Sequence, residues 1–115
     1  MSFDPRPYAE GIRRQNDKER EDIAKRHKDA MVEARRVAEE IKRHDPEVRS
    51  VILFGSVARG EPTRLDFDID LALDGGDAYR AMDITMDSAF HVDVVELRLL
   101  PEHVRERIAR EGIRL

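Results

Sequence analysis

Side chains in the first half of the chain repeat at helical spacing. From about Ala9 to His44 there is no proline, and apolar or partly apolar side chains recur at steps of three and four residues. The stripe comprises Ile12, Ile23, His27, Ala30, Met31, Ala34, Val37, Ala38 and Ile41. This spacing predicts one long amphipathic helix. We expect the helix to end at His44-Asp45-Pro46, because proline disfavours the α conformation in the residue before it.

The beginning of the predicted helix carries charge instead of apolar side chains. No apolar residue lies between Arg13 and Asp22, so this stretch is expected to project into solvent or to be held by charge pairing. Residues 1–8 contain two prolines and are predicted to form a loose leader. The chain is therefore divided into a leader with a charged helix extension, 1–29, and a domain, 30–115. A solvated helix is the simpler interpretation of the extension, and a partner-docking arm is the alternative.

The second half predicts strands separated by short helices. The expected strands are Val48 to Phe54, which is rich in β-branched and aromatic residues, Asp66 to Leu73, in which acidic and apolar residues alternate at first, and Phe90 to Leu97. Short helices are expected at 56–59, 78–88 and 102–111, the last closed by Gly112. The order α-β-(α)-β-α-β-α predicts an α/β (α+β) fold in which helices pack against a three-stranded mixed sheet.

Composition narrows the class of protein. The 115 residues suffice for one domain, and 40% of them are charged, so the core must be lean. The lack of cysteine excludes a disulfide scaffold and a thiolate metal site. Without a signal peptide or a long apolar run, we expect a cytoplasmic protein with no membrane partner. Residues 51–115 carry 13 acidic and 8 basic residues, which makes a broad nucleic-acid surface unlikely on electrostatic grounds.

One candidate binding element is the turn Phe54-Gly55-Ser56-Val57-Ala58-Arg59-Gly60. A buried strand is expected to enter a Gly-Ser turn and then a helix, which exposes backbone N–H groups and a hydroxyl to an anion. Glycine lets the backbone approach a ligand closely. Most Gly-Ser turns that follow a strand bind no ligand, so this motif needs support from other motifs in the sequence.

The strongest chemical signal is a series of aspartates. Asp66, Asp68 and Asp70 alternate with apolar residues, and strand residues two apart share a face. Their like charges repel unless neutralised, and Mg²⁺ prefers such carboxylate oxygens. A solvent-facing acidic strand edge is the alternative. Asp93 interrupts another β-branched run, and would join this cluster if the two strands are neighbours, giving a site suited to two-metal chemistry. His91 lies on the same face, near the site or at its rim.

Taken together, these motifs resemble the DNA polymerase β-like nucleotidyltransferase superfamily. The resemblance is closest to minimal nucleotidyltransferases, which act as antitoxins beside HEPN-domain toxins, and it covers roughly residues 30–115. It rests on the Gly-Ser turn, on Asp68-Ile69-Asp70-Leu71, on Val92-Asp93-Val94-Val95 and on the terminal helix.

This resemblance implies a Mg²⁺-dependent site that uses ATP as its substrate. The implied nucleotide-binding residues are Gly55, Ser56 and Arg59. The implied catalytic residues, which are also the ligands of two Mg²⁺ ions, are Asp68, Asp70 and Asp93. Two departures stand out: Phe67 occupies a position that is usually serine, and Asp66 lengthens the spacer. We prefer Asp68 and Asp70 over Asp66 and Asp68 as the metal pair, because Leu71 follows as in the family pattern.

Three functions follow from the resemblance. The first is transfer of AMP from ATP to a hydroxyl, typically of a tyrosine, on a HEPN-domain toxin. The second is an antitoxin that acts by direct binding without catalysis. The third is a small-molecule nucleotidyltransferase whose acceptor pocket is completed by an oligomer or a partner. The lean core and exposed helix make a homo- or hetero-oligomer plausible in each case.

Overall fold

Helices and strands alternate along the chain much as the hydrophobic pattern predicts. A computed structural model describes residues 6–60 and 64–115. Its helices are α1 (Arg6–His44), α2 (Gly55–Arg59), α3 (Ala78–Met86) and α4 (Glu102–Glu111), with a 3₁₀ turn at Leu97–Leu99. Its strands are β1 (Ser50–Phe54), β2 (Ile69–Asp74), β3 (Val92–Glu96) and β4 (Ile113–Arg114). The predicted mixed fold with a long N-terminal helix is confirmed.

The first helix is longer than the prediction. It begins at Arg6, so the expected leader at 1–8 is wrong for residues 6–8, while residues 1–5 lie outside the described part. Pro7 is compatible with this start, because the first helical turn needs no intrahelical N–H donors. The charged side chains of residues 14–22 are all exposed, as predicted. The division of the chain at residue 30 stays a prediction, since one continuous helix crosses it.

The sheet has four strands in the order β3-β2-β1-β4. Strand β1 is antiparallel to β2 and β4, and β2 is parallel to β3, so the sheet is mixed as expected. The expected count of three strands is wrong because β4 has only two residues, which pair with Ile52 and Leu53 and are too few to show alternation in the sequence.

The core lies between one face of the sheet and the stripe of α1. Five buried stripe residues are Ala30, Ala34, Val37, Ala38 and Ile41. They pack in one cluster with the inward residues of β1 and β2, which are Val51, Leu53, Ile69, Leu71 and Leu73. The alanines leave room for the helix to lie close to the sheet, so a lean core can still exclude water. None of the described helices is long and apolar enough to cross a membrane.

The strands are shorter than the sequence predicts, and this changes where the acidic residues lie. Strand β2 begins at Ile69, so Asp66 and Asp68 precede it and do not alternate within it. The ladder starts there because β1 ends at Phe54, opposite Asp70, and no described strand continues the pairing. Since strand side chains alternate, Asp70 points to the sheet face opposite the buried Ile69 and Leu71.

Candidate active site

Two neighbouring strands bring two of the predicted aspartates together. In the parallel pair of β2 and β3, Asp70 lies directly beside Asp93, and Ile69 lies beside Val92. The buried apolar residues on either side of Asp70 fix which face its carboxyl group occupies. The sequence left open whether these strands are neighbours, and the sheet order shows that they are.

Asp68 and His91 join Asp93 from the segments that enter these strands. The Nδ1 atom of His91 lies 3.3 Å from an Asp68 oxygen and 3.8 Å from an Asp93 oxygen. One potential ligand atom from each of the three residues lies within 4.8 Å of the others, and all three side chains are exposed. Two carboxylates and an imidazole at this spacing can coordinate a divalent cation. His91 therefore lies beside the acidic group, on the same face as its sequence position indicated, and a role as a ligand stays a prediction.

The carboxyl group of Asp70 lies against the backbone of the Gly-Ser turn. Gly55 has a φ of +79°, and a Cβ atom there would collide with Oδ2 of Asp70 and lie 3.4 Å from its Cγ. Both the backbone angle and the close approach therefore require glycine at this position. The contact joins the turn and the acidic residues into one site, a link that their separate positions in the sequence do not show.

The pKa of Asp70 reflects its burial and the carboxylates around it. Burial and, after it, the carboxylates of Asp93 and Asp68 raise the pKa of Asp70 to about 6, although His91 and Arg59 oppose the rise. Burial is the largest cause because a half-buried carboxylate loses part of its hydration. The folded chain thus holds several carboxylates together without an equivalent positive charge, which is the environment that a bound cation would stabilise.

The short helix α2 presents the remaining predicted residues. Gly55 is its first residue, Ser56 is half-buried in its first turn, and Arg59 lies in its last turn. The guanidinium of Arg59 is 3.8 Å from the carboxylate of Glu111 on α4, so it links α2 to the terminal helix. The resemblance implies nucleotide binding for Arg59, and that role stays a prediction. Gly60 ends α2 in the left-handed conformation.

Residues of α1 support the site in a way the sequence did not reveal. The Nε2 of His27 hydrogen-bonds to the Val57 carbonyl oxygen of α2 at 2.8 Å. Arg26 donates through Nε to the Leu65 carbonyl oxygen at 2.9 Å, and its guanidinium lies 4.4 Å from the centre of the Phe90 ring. These contacts connect the long helix to both segments that form the site. The stripe of α1 included His27 only as a packing position.

Phe67, the residue that departs from the family pattern, has a packing role. Its ring stacks on Phe90 with centroids 6.3 Å apart. The guanidinium of Arg26 lies over the same Phe90 ring. Phe67 directly precedes Asp68, so this stack fixes the segment from which the Asp68 carboxylate extends.

Asp66 lies apart from the acidic group. Its carboxylate is 3.5 Å from the Nε of Arg64, and both side chains are largely exposed. Among the described residues, the ligand atoms that converge belong to Asp68, His91 and Asp93, and the group includes neither Asp66 nor Asp70. The preference for Asp68 and Asp70 over Asp66 stays a prediction, and the position of Asp70 directly beside Asp93 in the sheet favours it.

Comparison with known proteins places this geometry in context. A family model described as polymerase beta, nucleotidyltransferase matches residues 36–115. A solved structure described as a candidate minimal nucleotidyltransferase is 31% identical, with a TM-score of 0.59, and the match covers 77% of this chain and 95% of that chain. No curated protein gives a significant sequence match.

Two further solved structures are toxin–antitoxin proteins. One, a toxin–antitoxin with AMP-PNP, is 23% identical with a TM-score of 0.57, and the match covers 70% of each chain. The other, a mutant of the MntA–HpeT toxin–antitoxin, is 18% identical with a TM-score of 0.56 and covers 70% of each chain. At these identities the similarity establishes a shared fold.

Proposed function

This chain belongs to the polymerase β nucleotidyltransferase family, and we propose that it transfers AMP from ATP to a hydroxyl group of a partner protein in the cytoplasm. The observation that carries the proposal is that Asp68 and Asp93 converge, while Asp70 lies beside Asp93 in the sheet and against Gly55 of the Gly55-Ser56 turn. All three carboxylates and the Gly55-Ser56 turn are present, which supports a catalytic site that is retained.

The acidic residues have the chemistry that Mg²⁺ requires. Asp68, Asp70 and Asp93 would hold two ions through carboxylate oxygens, the ligand type that this hard cation prefers. The raised pKa of Asp70 supports the fit, because burial and the neighbouring carboxylates leave charge to be neutralised. Bound Mg²⁺ would supply positive charge that offsets the charge developing on the phosphates during transfer.

Residues of α2 are suited to bind the triphosphate. The hydroxyl of Ser56 and the backbone N–H groups at the start of α2 would donate to phosphate oxygens, and Gly55 permits their close approach. Arg59 adds positive charge nearby and, through Glu111, fixes the helix against α4. His27 fixes the same helix from the side of α1 through the Val57 carbonyl.

The proposed reaction is an in-line displacement at the α-phosphate. A bond forms between the acceptor oxygen and the α-phosphorus, the bond to the bridging oxygen breaks, and pyrophosphate leaves with those electrons. The hydroxyl proton passes to the carboxylate of Asp93, which is exposed and therefore accessible to an acceptor. Holding the two reactants in this alignment supplies much of the rate enhancement.

We propose a HEPN-domain toxin as the partner, with this chain as its antitoxin. Two proteins of the same fold are toxin–antitoxin structures, and one of them was solved with AMP-PNP. These relatives support the assignment at the level of fold. The exposed charged side chains of residues 14–22 favour a second candidate, an antitoxin that neutralises its partner by contact.

The test uses α-labelled ATP, Mg²⁺, the purified protein and the product of the neighbouring gene. We expect label on a discrete hydroxyl of that product. Asp70→Asn should abolish the label, whereas the matched Asp66→Asn should retain it, because Asp66 is exposed and pairs with Arg64 outside the acidic group. No label in a stable complex would favour the contact antitoxin, and loss of label with Asp66→Asn would favour the alternative metal pair.

A further inference from the structure

One edge of the sheet is open beside the proposed active site. Strand β3 is the terminal strand, paired only with β2 among the described strands. The Ile69 N–H donates to the His91 carbonyl oxygen at 3.0 Å. Because backbone groups alternate along a strand in a parallel pair, the N–H and C=O groups of Val92 and Val94 point away from β2. The strand therefore offers hydrogen-bonding groups to a further strand.

An apolar groove of about 540 Å³ follows this open edge. We call it the edge groove; its lining includes Tyr79 and Met82 of α3, Val92 and Val94 of β3, and Leu99 and Leu100 after it. Of six large apolar residues described as exposed, four lie on the flanking elements, and Tyr79 and Leu99 are 79% and 68% exposed. Large apolar side chains grouped at one place on a surface are characteristic of a binding site.

The charge of the edge groove selects its occupant. Its described lining contains two acidic residues, Asp93 and Glu96, and no lysine or arginine. Glu96 is paired with Arg98 at 2.8 Å, so the remaining negative charge of the lining is that of Asp93, which lies 3.8 Å from the ring nitrogen of His91. Such a lining disfavours nucleic acid and acidic peptides, and it favours an uncharged or basic polypeptide with apolar side chains.

We propose that an extended segment of the partner protein pairs with β3 as an added strand and lies in the edge groove. Strand addition supplies backbone hydrogen bonds, and pockets for alternate side chains supply specificity. Side chains on one face of the segment contact Tyr79 and Met82. Side chains on the other face lie beside Asp93, on the active-site face of the sheet. The segment therefore carries a hydroxyl residue flanked on both sides by apolar residues.

This inference rests on the proposed function for its acceptor role, but the pairing itself requires no nucleotide. The probe is a peptide pool of the form Lys-X-Thr-X-Tyr-X-Lys, where each X is Val, Ile, Leu, Phe or Met. Binding is measured without ATP by fluorescence anisotropy and by hydrogen exchange. We expect slower exchange at the amides of Val92 and Val94. A pool methylated on its backbone nitrogens should lose binding, because it cannot donate to the strand.

Two matched variants locate the binding surface. Met82→Asp should weaken pool binding about tenfold or more, since it removes an apolar contact and places in the groove a carboxylate that the apolar X side chains would have to desolvate. Val32→Asp is the control: Val32 is an apolar residue on α1 that is 66% exposed, against 50% for Met82, and lies outside the edge groove, so its variant should bind as the wild type does. No binding, equal binding of the methylated pool, or equal loss in both variants would each overturn the proposal.

A nucleotide measurement separates this inference from the proposed function. ATP binding by the wild-type protein with Mg²⁺ is measured alone and then with the peptide pool present. Peptide binding without any ATP binding would uphold the edge groove and contradict the proposed activity. If ATP alone displaced the pool from the metal-free protein, the groove would be a nucleotide pocket and the strand-addition proposal would be wrong.

Discussion

Replacing Gly55 by alanine should remove the function of the site at a modest cost in stability. The matched control is Gly60→Ala, five residues away at the other end of α2. Both glycines have positive φ, +79° and +69°. Only Gly55 has a neighbour where the new Cβ would lie: Asp70, whose Oδ2 it would strike, whereas Gly60 has no atom within 4 Å.

The structure gives the expected magnitudes. Alanine in the left-handed conformation costs about 1–2 kcal/mol, and both variants bear this cost. The Gly55 variant must also displace the carboxyl group of Asp70, which adds about 1 kcal/mol from an unfavourable rotamer. The Gly60 variant should therefore melt about 5 °C lower, and the Gly55 variant a few degrees lower still. Displacement of Asp70 should reduce Mg²⁺-dependent ATP binding by on the order of 100-fold in the Gly55 variant alone.

Urea unfolding followed by circular dichroism gives the stabilities, and isothermal titration of Mg²⁺–ATP gives the affinities. Measurements at a temperature well below both melting points ensure that folded proteins are compared. If the two variants bind ATP equally, the contact between Gly55 and Asp70 does not position the carboxylate, and the reasoning is refuted. If Gly60→Ala alone loses binding, the conformation at the end of α2 matters more than the close approach.

Three further predictions concern single side chains. Asp70→Asn should stabilise the metal-free protein at pH 7 by about 1 kcal/mol after allowance for solvent screening, because the pKa of Asp70 is raised to about 6 and its charged form is disfavoured in the folded state. Mg²⁺ should raise the melting temperature of the wild type and leave that of the variant unchanged. Hydrogen bonds from the backbone N–H groups of Asp77 and Glu47 lower the pKa of the buried Asp45 carboxyl group. Its contribution to the free energy of unfolding is therefore present above about pH 4 and is lost as the pH falls through the folded-state pKa. In acid titration, Asp45→Asn should lose less stability than the wild type does. Phe90→Ala should cost about 3 kcal/mol in urea unfolding, because the ring is 9% exposed and packs on Phe67, and a loss below about 1 kcal/mol would contradict that packing.

Much of the fold was predictable because it depends on local pattern. The stripe of α1 predicted both its helix and its buried face, and these agree with the burial of residues such as Val37 and Ile41. Proline at 46 marked the end of that helix to the residue. Strand β4 was not predictable, since two residues are too few to show the alternation of a strand. It forms because Gly112 allows the chain to turn tightly beside Ile52, where a Cβ would lie 2.6 Å from the Ile52 side chain.

The candidate site was predictable in its residues and less so in its geometry. Spacing and resemblance identified Asp68, Asp70 and Asp93 as residues of one site. They also predicted that Asp68 and Asp70 share a strand, and this is wrong because β2 begins at Ile69. Strand length is set by the neighbouring strand with which each residue pairs, and that information is not local.

The sequence alone determined the helices, three of the four described strands without their bounds, the buried face of α1 and the side chains suited to metal or phosphate binding. Each of these depends on neighbours within a few positions, where helical or strand geometry relates spacing to direction. The tertiary structure alone decided that β2 and β3 are neighbours, that His91 lies between Asp68 and Asp93, and that β3 leaves an open edge. These depend on contacts between distant segments, because a sheet is held by pairing between strands and no single segment encodes its partner.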